Sequence, residues 1–191
     1  MGFSSSSSST CYFSTSKDCK DEEALMKNKK RVMVLIDESS RAKQAMMWAL
    51  THVANRGDLL TLLYVIKKPR NSVDGQNKEE EDEAINFVNS LVSLCKACKS
   101  EVEVESLVIK GPKLHTVLNQ VKKLEVSVLV VSQIKPSPFS CCSFFRNRRE
   151  NLVEQCIERA ECLTMAVRKQ SKGVGGYLVS TRWQKNFWLL A

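Results

Sequence analysis

The sequence predicts an α/β protein whose parallel β-sheet is covered by helices on both faces. Five short apolar runs of the kind that form buried strands occur along the chain, and four segments with apolar residues at helical spacing separate them. Glycine and proline are scarce, at 7 and 4 of 191 residues, which argues against repeats and against extended disorder. Because strict alternation of strand and helix requires crossover connections, neighbouring strands are expected to be parallel.

The first strand–helix–strand unit opens the regular part of the chain. Val32–Ile36 is continuously apolar and leads to Asp37, as expected for a strand that is buried on both faces. Ser39 or Ser40 can cap a helix that runs to about residue 55. A second buried strand is predicted over Leu59–Ile66.

The middle of the chain repeats this alternation. The acidic run Glu79–Glu83 favours a helix N-terminus, and apolar residues at helical spacing continue to Leu94. Val102–Ile109 is typical of a strand, and two glutamates alternate outward near its start, which indicates a sheet edge. Gly111-Pro112 then opens a third helix over Lys113–Leu124.

The last unit completes the predicted sheet. Val126–Val131 is a fourth apolar strand, and Asn151 with Glu154 forms a capping box for a helix to Ala160. Leu163–Val167 is a short fifth strand. Crossovers are expected to be right-handed, and a ligand is expected beyond the carboxyl ends of the strands.

The chain divides into three parts. Residues 1–26 are Ser-rich and then charged, with too few apolar side chains for a core, so disorder is expected. Residues 27–169 form the α/β domain, and residues 170–191 form an aromatic, basic tail. The tail concentrates large apolar side chains that are not expected to stay in water: Tyr177, Trp183, Phe187, Trp188, Leu189 and Leu190. It can fold over the domain, cover the edge of the last strand or form an interface.

The net charge of +8 is unevenly distributed. Residues 135–191 hold ten Lys or Arg and four Glu, a net +6. Such a region can attract nucleic acid, lipid head groups or a phosphorylated partner, although a solvated basic surface without a specific ligand is the preferred interpretation. No specific nucleic-acid binding is predicted. No apolar run approaches the ~20 residues that cross a bilayer.

The eight cysteines show no disulfide framework spacing, and no signal-peptide core precedes them. Reduced thiols in the cytoplasm, or also in the nucleus, are therefore expected. A zinc site built from Cys95, Cys98, Cys141 and Cys142 is disfavoured, because adjacent cysteines are poor ligands for one metal ion. No metal site is predicted.

The N-terminus carries two alternative targeting signals. Residues 1–6 fit the pattern for myristoylation of Gly2, and Cys11 could carry a second, palmitoyl anchor. Membrane association is expected only if Gly2 is modified. The same Ser-rich stretch could be an organellar transit peptide, but it contains no arginine before Arg31.

Catalysis finds little support in the sequence. Only two histidines are present, His52 in the middle of a predicted helix and His115 near the start of another. No Gly-x-Ser-x-Gly elbow, Walker loop or HExxH motif occurs. We expect a protein that is not an enzyme.

Several segments resemble the universal stress proteins of plants. They are RVMVLIDESS (31–40), MWAL (47–50), GDLLTLLYV (57–65), VLVVS (128–132) and RAECLTMAV (159–167). The resemblance covers residues 28–169 and implies a three-layer α/β/α sandwich with a five-stranded parallel sheet, Rossmann-like and similar to the adenine nucleotide alpha hydrolases. It also implies a homodimer, since members of the family often dimerise through the last strand.

The resemblance identifies a degenerate nucleotide site. Members that bind ATP carry an aspartate that faces the adenine at the end of the first strand, and Asp37 matches it. They also carry a phosphate loop of the form Gly-x2-Gly-x9-Gly-Ser/Thr, whose glycines let backbone N–H groups approach phosphates. Here these positions hold Ser132, Lys135, Glu150 and Asn151. ATP binding is therefore disfavoured, and no cofactor is expected.

A basic stretch offers an alternative anion site. Arg146, Arg148 and Arg149 immediately precede the predicted fourth helix and could hold phosphate where the family uses glycines. A solvated basic loop is the preferred interpretation. Three phenylalanines in the same loop could stack on nucleic-acid bases, but packing against the core is preferred.

These observations lead to one expectation and two alternatives. We expect a non-catalytic stress-response or signalling module that acts through dimerisation or protein partners. The first alternative is a switch that binds ATP or AMP through Asp37 and the basic loop at Arg146–Arg149. The second is a lipid-anchored adaptor, which requires myristoylation of Gly2.

Overall fold

The computed structural model describes residues 29–67, 76–134, 148–170 and 176–189. Within these ranges the chain forms four helices and seven strands. They are, in chain order, β1 (Arg31–Ile36), α1 (Ser40–His52), β2 (Leu59–Ile66), α2 (Gln76–Cys98), β3 (Glu103–Lys110), α3 (Lys113–Lys123), β4 (Val128–Ser132), α4 (Arg148–Arg159), β5 (Leu163–Lys169), β6 (Tyr177–Ser180) and β7 (Phe187–Leu189). Among the described residues, no helix combines the length and the apolar character that crossing a membrane requires.

One sheet runs through the whole described structure, with the strand order β3-β2-β1-β4-β5-β6-β7. Strands β1 to β5 are parallel, as the alternation of elements predicts. β6 and β7 are antiparallel and extend the sheet beyond β5. The predicted α/β class is confirmed, and the five predicted parallel strands carry two further strands from the tail.

Two hydrophobic cores cover the two faces of the sheet. Val32 and Val34 of β1 point into a cluster with α1 and α2, whereas Met33 and Leu35 point into a cluster with α3 and α4. Successive side chains of a strand alternate between faces, so a strand that is buried on both sides must be apolar throughout. This requirement explains the continuous apolar run in β1.

Of the two serines that could cap α1, the structure selects Ser39. Its side-chain oxygen accepts a hydrogen bond from the Ala42 N–H at 3.3 Å. Its own backbone is extended, as the N-cap position requires. The cap lies two residues beyond Asp37, so α1 starts next to the carboxyl end of β1.

β3 forms one edge of the sheet, as its two glutamates predict. Glu103 pairs with Lys29, and Glu105 pairs with Arg31 and accepts a hydrogen bond from the Thr61 hydroxyl at 2.7 Å. Charged side chains along an edge strand discourage edge-to-edge association with other chains.

The opposite end of the sheet is formed by the C-terminal hairpin, residues 176–189. Tyr177, Phe187 and Leu189 pack against the core on the α1 face. β6 pairs with β5 along its edge, so covering the last strand is the arrangement that the tail adopts. Two tryptophans nevertheless remain in water, since Trp183 is 75% exposed and Trp188 is 47% exposed. The expectation that all the tail aromatics leave water is wrong for these two, because Trp183 lies in the turn and Trp188 points to the face opposite α1.

The start of α4 differs from the predicted capping box. The helix begins at Arg148, so Asn151 lies within its first turn and is not the cap. Arg148 and Arg149 therefore belong to the helix and not to a loop that precedes it. Arg and Glu are good helix formers, which allows the helix to extend one turn further towards the N-terminus than the capping pattern predicts.

Candidate functional site

The strand order reverses between β1 and β4. From β1 the chain adds β2 and β3 on one side, and it then adds β4 and β5 on the other. In open parallel sheets such a reversal opens a crevice outside the carboxyl ends of the two strands. Asp37 follows β1 at this edge and Ser132 ends β4, so the structure brings these two predicted site residues to the same crevice.

The Asp37 carboxylate is held on both of its oxygens. Oδ1 accepts a hydrogen bond from the Ser39 N–H at 2.9 Å and a second bond from the Ser39 hydroxyl. Oδ2 lies 3.9 Å from the Lys113 ammonium, at the start of α3. The side chain is only 21% exposed. The aspartate therefore stabilises the turn into α1 and faces a cation from a different helix.

Two cations that sequence reasoning missed lie beside this aspartate. Arg41 and Lys113 line a small cavity of about 20 Å³ that also includes Asp37 and Ser132. The sequence did contain a signal for Lys113. This residue directly follows Gly111-Pro112, which starts α3 at the carboxyl edge of the sheet. Arg41 lies in the first turn of α1, where the capping serine places it near the end of β1.

The remaining predicted site residues fall into two groups. Arg148, Arg149 and Asn151 lie in the first turn of α4, where the structure describes the backbone alone. That turn is close to the crevice, because Leu152 and Val153, which follow directly, line the same cavity. The other predicted residues lie outside the described residues, and they are Lys135, Arg146, Gly2 and Cys11.

The β2 side of the crevice is acidic. The Tyr64 hydroxyl donates a hydrogen bond to Glu38 Oε1 at 3.1 Å. The pKa of Tyr64 is raised to about 12, mainly by burial and in addition by the bond to Glu38 and by the charges of Glu38, Asp37 and Glu80. This concentration of carboxylates disfavours a phosphate on that side of Asp37.

Neither histidine lines the cavity at Asp37. His52 is the last residue of α1 and not a mid-helix residue as the sequence indicated, since the helix ends three residues earlier than predicted. Its ring stacks on Trp48 with 5.5 Å between centroids and lies 6.2 Å from the ring of Tyr177. His115, on α3, lines a separate groove between α3 and α4.

The described cysteines are free thiols. Burial raises the pKa of Cys95 to about 11 and that of Cys156 to about 12, so both thiols stay protonated at neutral pH. Among the residues that the structure describes, no group of three His, Cys, Asp or Glu side chains could hold a metal ion. Cys141 and Cys142 lie outside the described residues.

The fold and its crevice define a doubly wound α/β protein with an aspartate at the switch point of the sheet. A family model described as the universal stress protein family matches residues 29–168. The chain belongs to the universal stress protein family. A comparison with functionally curated proteins found no match.

Solved structures of similar fold include members of the same family. A universal stress protein UspA from Lactobacillus plantarum is 16% identical, with a TM-score of 0.58, and the match covers 73% of this chain and 97% of that one. A universal stress protein in complex with cAMP is 13% identical, with a TM-score of 0.54 and the same two coverages. One from Archaeoglobus fulgidus in complex with dAMP is 14% identical, with a TM-score of 0.52, and covers 73% and 98% of the two chains. At these identities the likeness shows the fold alone.

Proposed function

We propose that this chain is a non-catalytic stress-response or signalling module of the plant branch of the family, and that it acts through dimerisation or protein partners without using ATP. The observation that carries the proposal is the set of contacts that the Asp37 carboxylate makes within the protein. Both oxygens of its carboxylate are already engaged within the protein, by Ser39 and by Lys113. An adenine that approached this carboxylate would have to displace the Ser39 contacts or share them.

The phosphate side supports the same proposal. The positions that correspond to the family's glycines hold Ser132, Lys135, Glu150 and Asn151. Side chains at these positions keep backbone N–H groups from approaching a phosphate closely. A carboxylate at Glu150 adds repulsion, and the acidic surroundings of Tyr64 add more on the opposite side.

The C-terminal hairpin favours an interface that does not use the edge of β5. Because β6 occupies that edge, a second chain could pair with β5 only after the hairpin had moved. Trp183 and Trp188 are two of the three large apolar side chains that are exposed among the described residues. Tryptophan is enriched among the residues that dominate binding energy at protein interfaces. We infer that the dimer or partner contact uses these two side chains.

We propose further that the protein is cytoplasmic and has no catalytic activity. Neither histidine lies at the crevice, and the described buried thiols have raised pKa values, which makes them poor nucleophiles. Membrane attachment is proposed only for a form that is myristoylated at Gly2. Mass spectrometry of the N-terminus of the natural protein tests that form.

To test the main proposal, the full chain is titrated with Mg-ATP up to 1 mM, about the upper end of ordinary KM values. Binding is measured by calorimetry and by thermal unfolding. A ligand specific for the folded state must raise the unfolding temperature by mass action. We expect neither heat nor a shift. Micromolar binding that Asp37→Ala abolishes, in a variant that keeps its fold, would overturn the proposal.

A nucleotide switch is the second candidate, and one observation favours it. Arg41 and Lys113 place two cations at the crevice, where they could meet a phosphate without the glycine loop. The similar proteins in complex with cAMP and dAMP show that this fold can hold an adenine nucleotide. If AMP binds, Lys113→Ala should weaken binding at least about tenfold, which corresponds to one charge-assisted contact.

The dimer interface has its own experiment. Sedimentation equilibrium of the native chain gives the dissociation constant of any dimer. Trp183→Ser and Trp188→Ser should each weaken that dimer, whereas Ile85→Ser, at the third exposed apolar residue, should leave it unchanged. A dimer that tolerates both tryptophan substitutions would contradict the assignment of the interface. A monomer would leave protein partners as the proposed mode of action.

A further inference from the structure

The two edges of the sheet are protected differently. Two glutamates of β3, Glu103 and Glu105, form ion pairs that line one edge with charge. The opposite edge is formed by β7, whose three residues, Phe187–Leu189, include no charge and no proline. Charges and prolines are means by which native proteins keep an edge strand from pairing with another chain. Within the described ranges no strand pairs with β7 on its outer side, so β7 forms an open edge.

The backbone of Trp188 points out of this open edge. The Gly176 carbonyl oxygen accepts a hydrogen bond from the Gln170 N–H at 3.0 Å, so the backbone groups of Gly176 face β5. The backbone groups of successive residues point to alternate sides of a strand. Tyr177 therefore faces β7, where the register pairs it with Leu189. Because Leu189 faces β6 in turn, Trp188 directs both its N–H and its carbonyl oxygen away from β6.

A second contact agrees with this orientation. A Cβ added at Gly176 would lie 2.7 Å from the Leu189 carbonyl oxygen, which places that oxygen on the β6 side of β7. The alternation again leaves the N–H and the carbonyl oxygen of Trp188 on the outer side. Trp188 thus offers one donor and one acceptor at the open edge.

An edge residue with this orientation is complementary to itself. When two copies of a strand lie antiparallel across a twofold axis, the residue on the axis stands opposite its own counterpart. With Trp188 at that position, the N–H of each copy donates to the carbonyl oxygen of the other, as in an ordinary hydrogen-bonded pair. Such a contact is isologous and closes at two chains, so the open edge does not lead to a fibre.

The ring of Trp188 adds apolar contact to these two hydrogen bonds. Its side chain is 47% exposed and points to the face opposite α1. Directly opposite residues of an antiparallel pair have Cβ atoms within about 5.5 Å, so the two rings can pack on that face. Because β7 has only three residues, its backbone supplies few bonds, and burial of the rings contributes the remaining stability.

We propose that β7 pairs with β7 of a second copy of this chain, antiparallel and with Trp188 on the twofold axis, so that two seven-stranded sheets join into one. This inference rests on the dimerisation in the proposed function and names the strand that forms the interface. The edge of β5 stays occupied by β6.

Amide hydrogen exchange, followed by NMR of the full chain at several concentrations, tests the pairing directly. We expect exchange of the Trp188 amide to slow by about tenfold when nine-tenths of the chains are dimeric, because this N–H then exchanges only from the remaining monomer. The Phe187 and Leu189 amides face β6, so their exchange should depend much less on concentration. Sedimentation equilibrium gives the fraction of dimer.

Two substitutions of Trp188 separate the backbone bonds from the ring. Trp188→Ser removes the ring and keeps the N–H, whereas Trp188→Pro removes both. Proline is tolerated in an edge strand where the N–H faces outward, so β6 can still pair with β7. Trp188→Pro should weaken the dimer about thirtyfold more than Trp188→Ser, because two hydrogen bonds of ordinary strength are lost.

The other edge of the sheet supplies a matched control. The Glu103 N–H donates to the Asp58 carbonyl oxygen at 3.1 Å, so Glu103 faces β2 and Ser106, by the same alternation, faces outward. Ser106→Pro removes an outward N–H from β3 and should leave the dissociation constant of the dimer unchanged. Thermal unfolding checks that both proline variants keep their fold.

Three results would overturn the inference. They are a chain that stays monomeric at millimolar concentration, a Trp188 amide whose exchange is independent of concentration in a chain that dimerises, and equal dissociation constants for Trp188→Ser and Trp188→Pro. If the second result occurs while Trp188→Ser still weakens the dimer, the strand pairing fails and the tryptophan contact of the proposed function stands. If Trp188→Pro does not fold, amide exchange in the native chain still decides the result.

Discussion

The guanidinium of Arg182 donates a hydrogen bond from Nε to the carbonyl oxygen of Ile157 at 3.3 Å. A second N–H of the same group bonds to the next carbonyl, that of Glu158. Both carbonyls belong to the last turn of α4, where the backbone has no intrahelical donor and where the helix dipole favours a cation. This contact attaches the C-terminal hairpin to the last turn of α4.

Removal of the Arg182 guanidinium should destabilise the protein. We expect Arg182→Ala to lower the free energy of unfolding by about 1 kcal/mol, at the low end for bonds to a charged group because the side chain is exposed. Urea unfolding measures the change. Lys185→Ala, in the same turn, is the matched control and should change stability by less than about 0.5 kcal/mol. Equal losses of stability in the two variants would show that Arg182 stabilises the protein only through its positive charge and not through its hydrogen bonds to α4.

Gly176 permits the close approach of β7 to the start of β6. Its φ is +148°, and a Cβ there would lie 2.6 Å from Trp188 Nε1 and 2.7 Å from the Leu189 carbonyl oxygen. Gly176→Ala should therefore lower the free energy of unfolding by roughly 2 kcal/mol, because the backbone is strained and β7 is displaced. Thermal unfolding measures this loss.

Gly57 provides the control for that substitution. Its φ is +81°, and nothing lies within 4 Å of a Cβ added there. Gly57→Ala should cost about 1 kcal/mol, from backbone conformation alone. A larger loss at Gly57 than at Gly176 would contradict the contact between Gly176 and β7.

The described cysteines should differ in their reactivity with iodoacetamide. Cys98 is exposed, whereas Cys95 and Cys156 are buried with raised pKa values of about 11 and about 12. Because the thiolate is the reactive form, Cys98 should be modified first at pH 8. Peptide mapping by mass spectrometry identifies the modified sites, and the differences should disappear in denaturant. Early modification of Cys156 in the folded chain would contradict the burial that the structure shows.

Tyr64 should ionise at unusually high pH. Burial is the main cause of its pKa of about 12, and the hydrogen bond to Glu38 adds to it. Glu38→Gln should lower the pKa of Tyr64 while leaving it above the ordinary value of 10. Titration by NMR of the ring signals measures both values. An unchanged pKa in the variant would place the hydrogen bond elsewhere.

The raised pKa of Tyr64 also predicts how the stability of the protein changes at alkaline pH. Since the folded-state pKa of Tyr64 is raised above the unfolded value of 10.0, the neutral phenol favours folding. This contribution is fully present below about pH 10 and is lost as the pH rises towards 12. Tyr64→Phe should show a smaller loss of stability across that range than the native chain in urea unfolding experiments.

The sequence by itself determined the layered part of the fold. The apolar run Val32–Ile36 can be satisfied only by burial on both faces, and the alternation of such runs with helical segments requires a parallel sheet. Glu103 and Glu105 marked β3 as an edge strand, and Asp37 marked the end of β1 at the crevice. These features follow from side-chain periodicity, which is a local property of the chain.

Other features of the protein depend on contacts between distant residues, and only the tertiary structure decided these. Asp37 faces Lys113, 76 positions away, because β1 and the start of α3 meet at one edge of the sheet. The tail became two antiparallel strands because β5 offered an unpaired edge to β6, and the backbone groups of an edge strand select a partner without regard to its sequence pattern. The partial burial of Tyr177 and the exposure of Trp188 followed from that pairing, since strand geometry assigns each side chain to a face only once the partner is fixed.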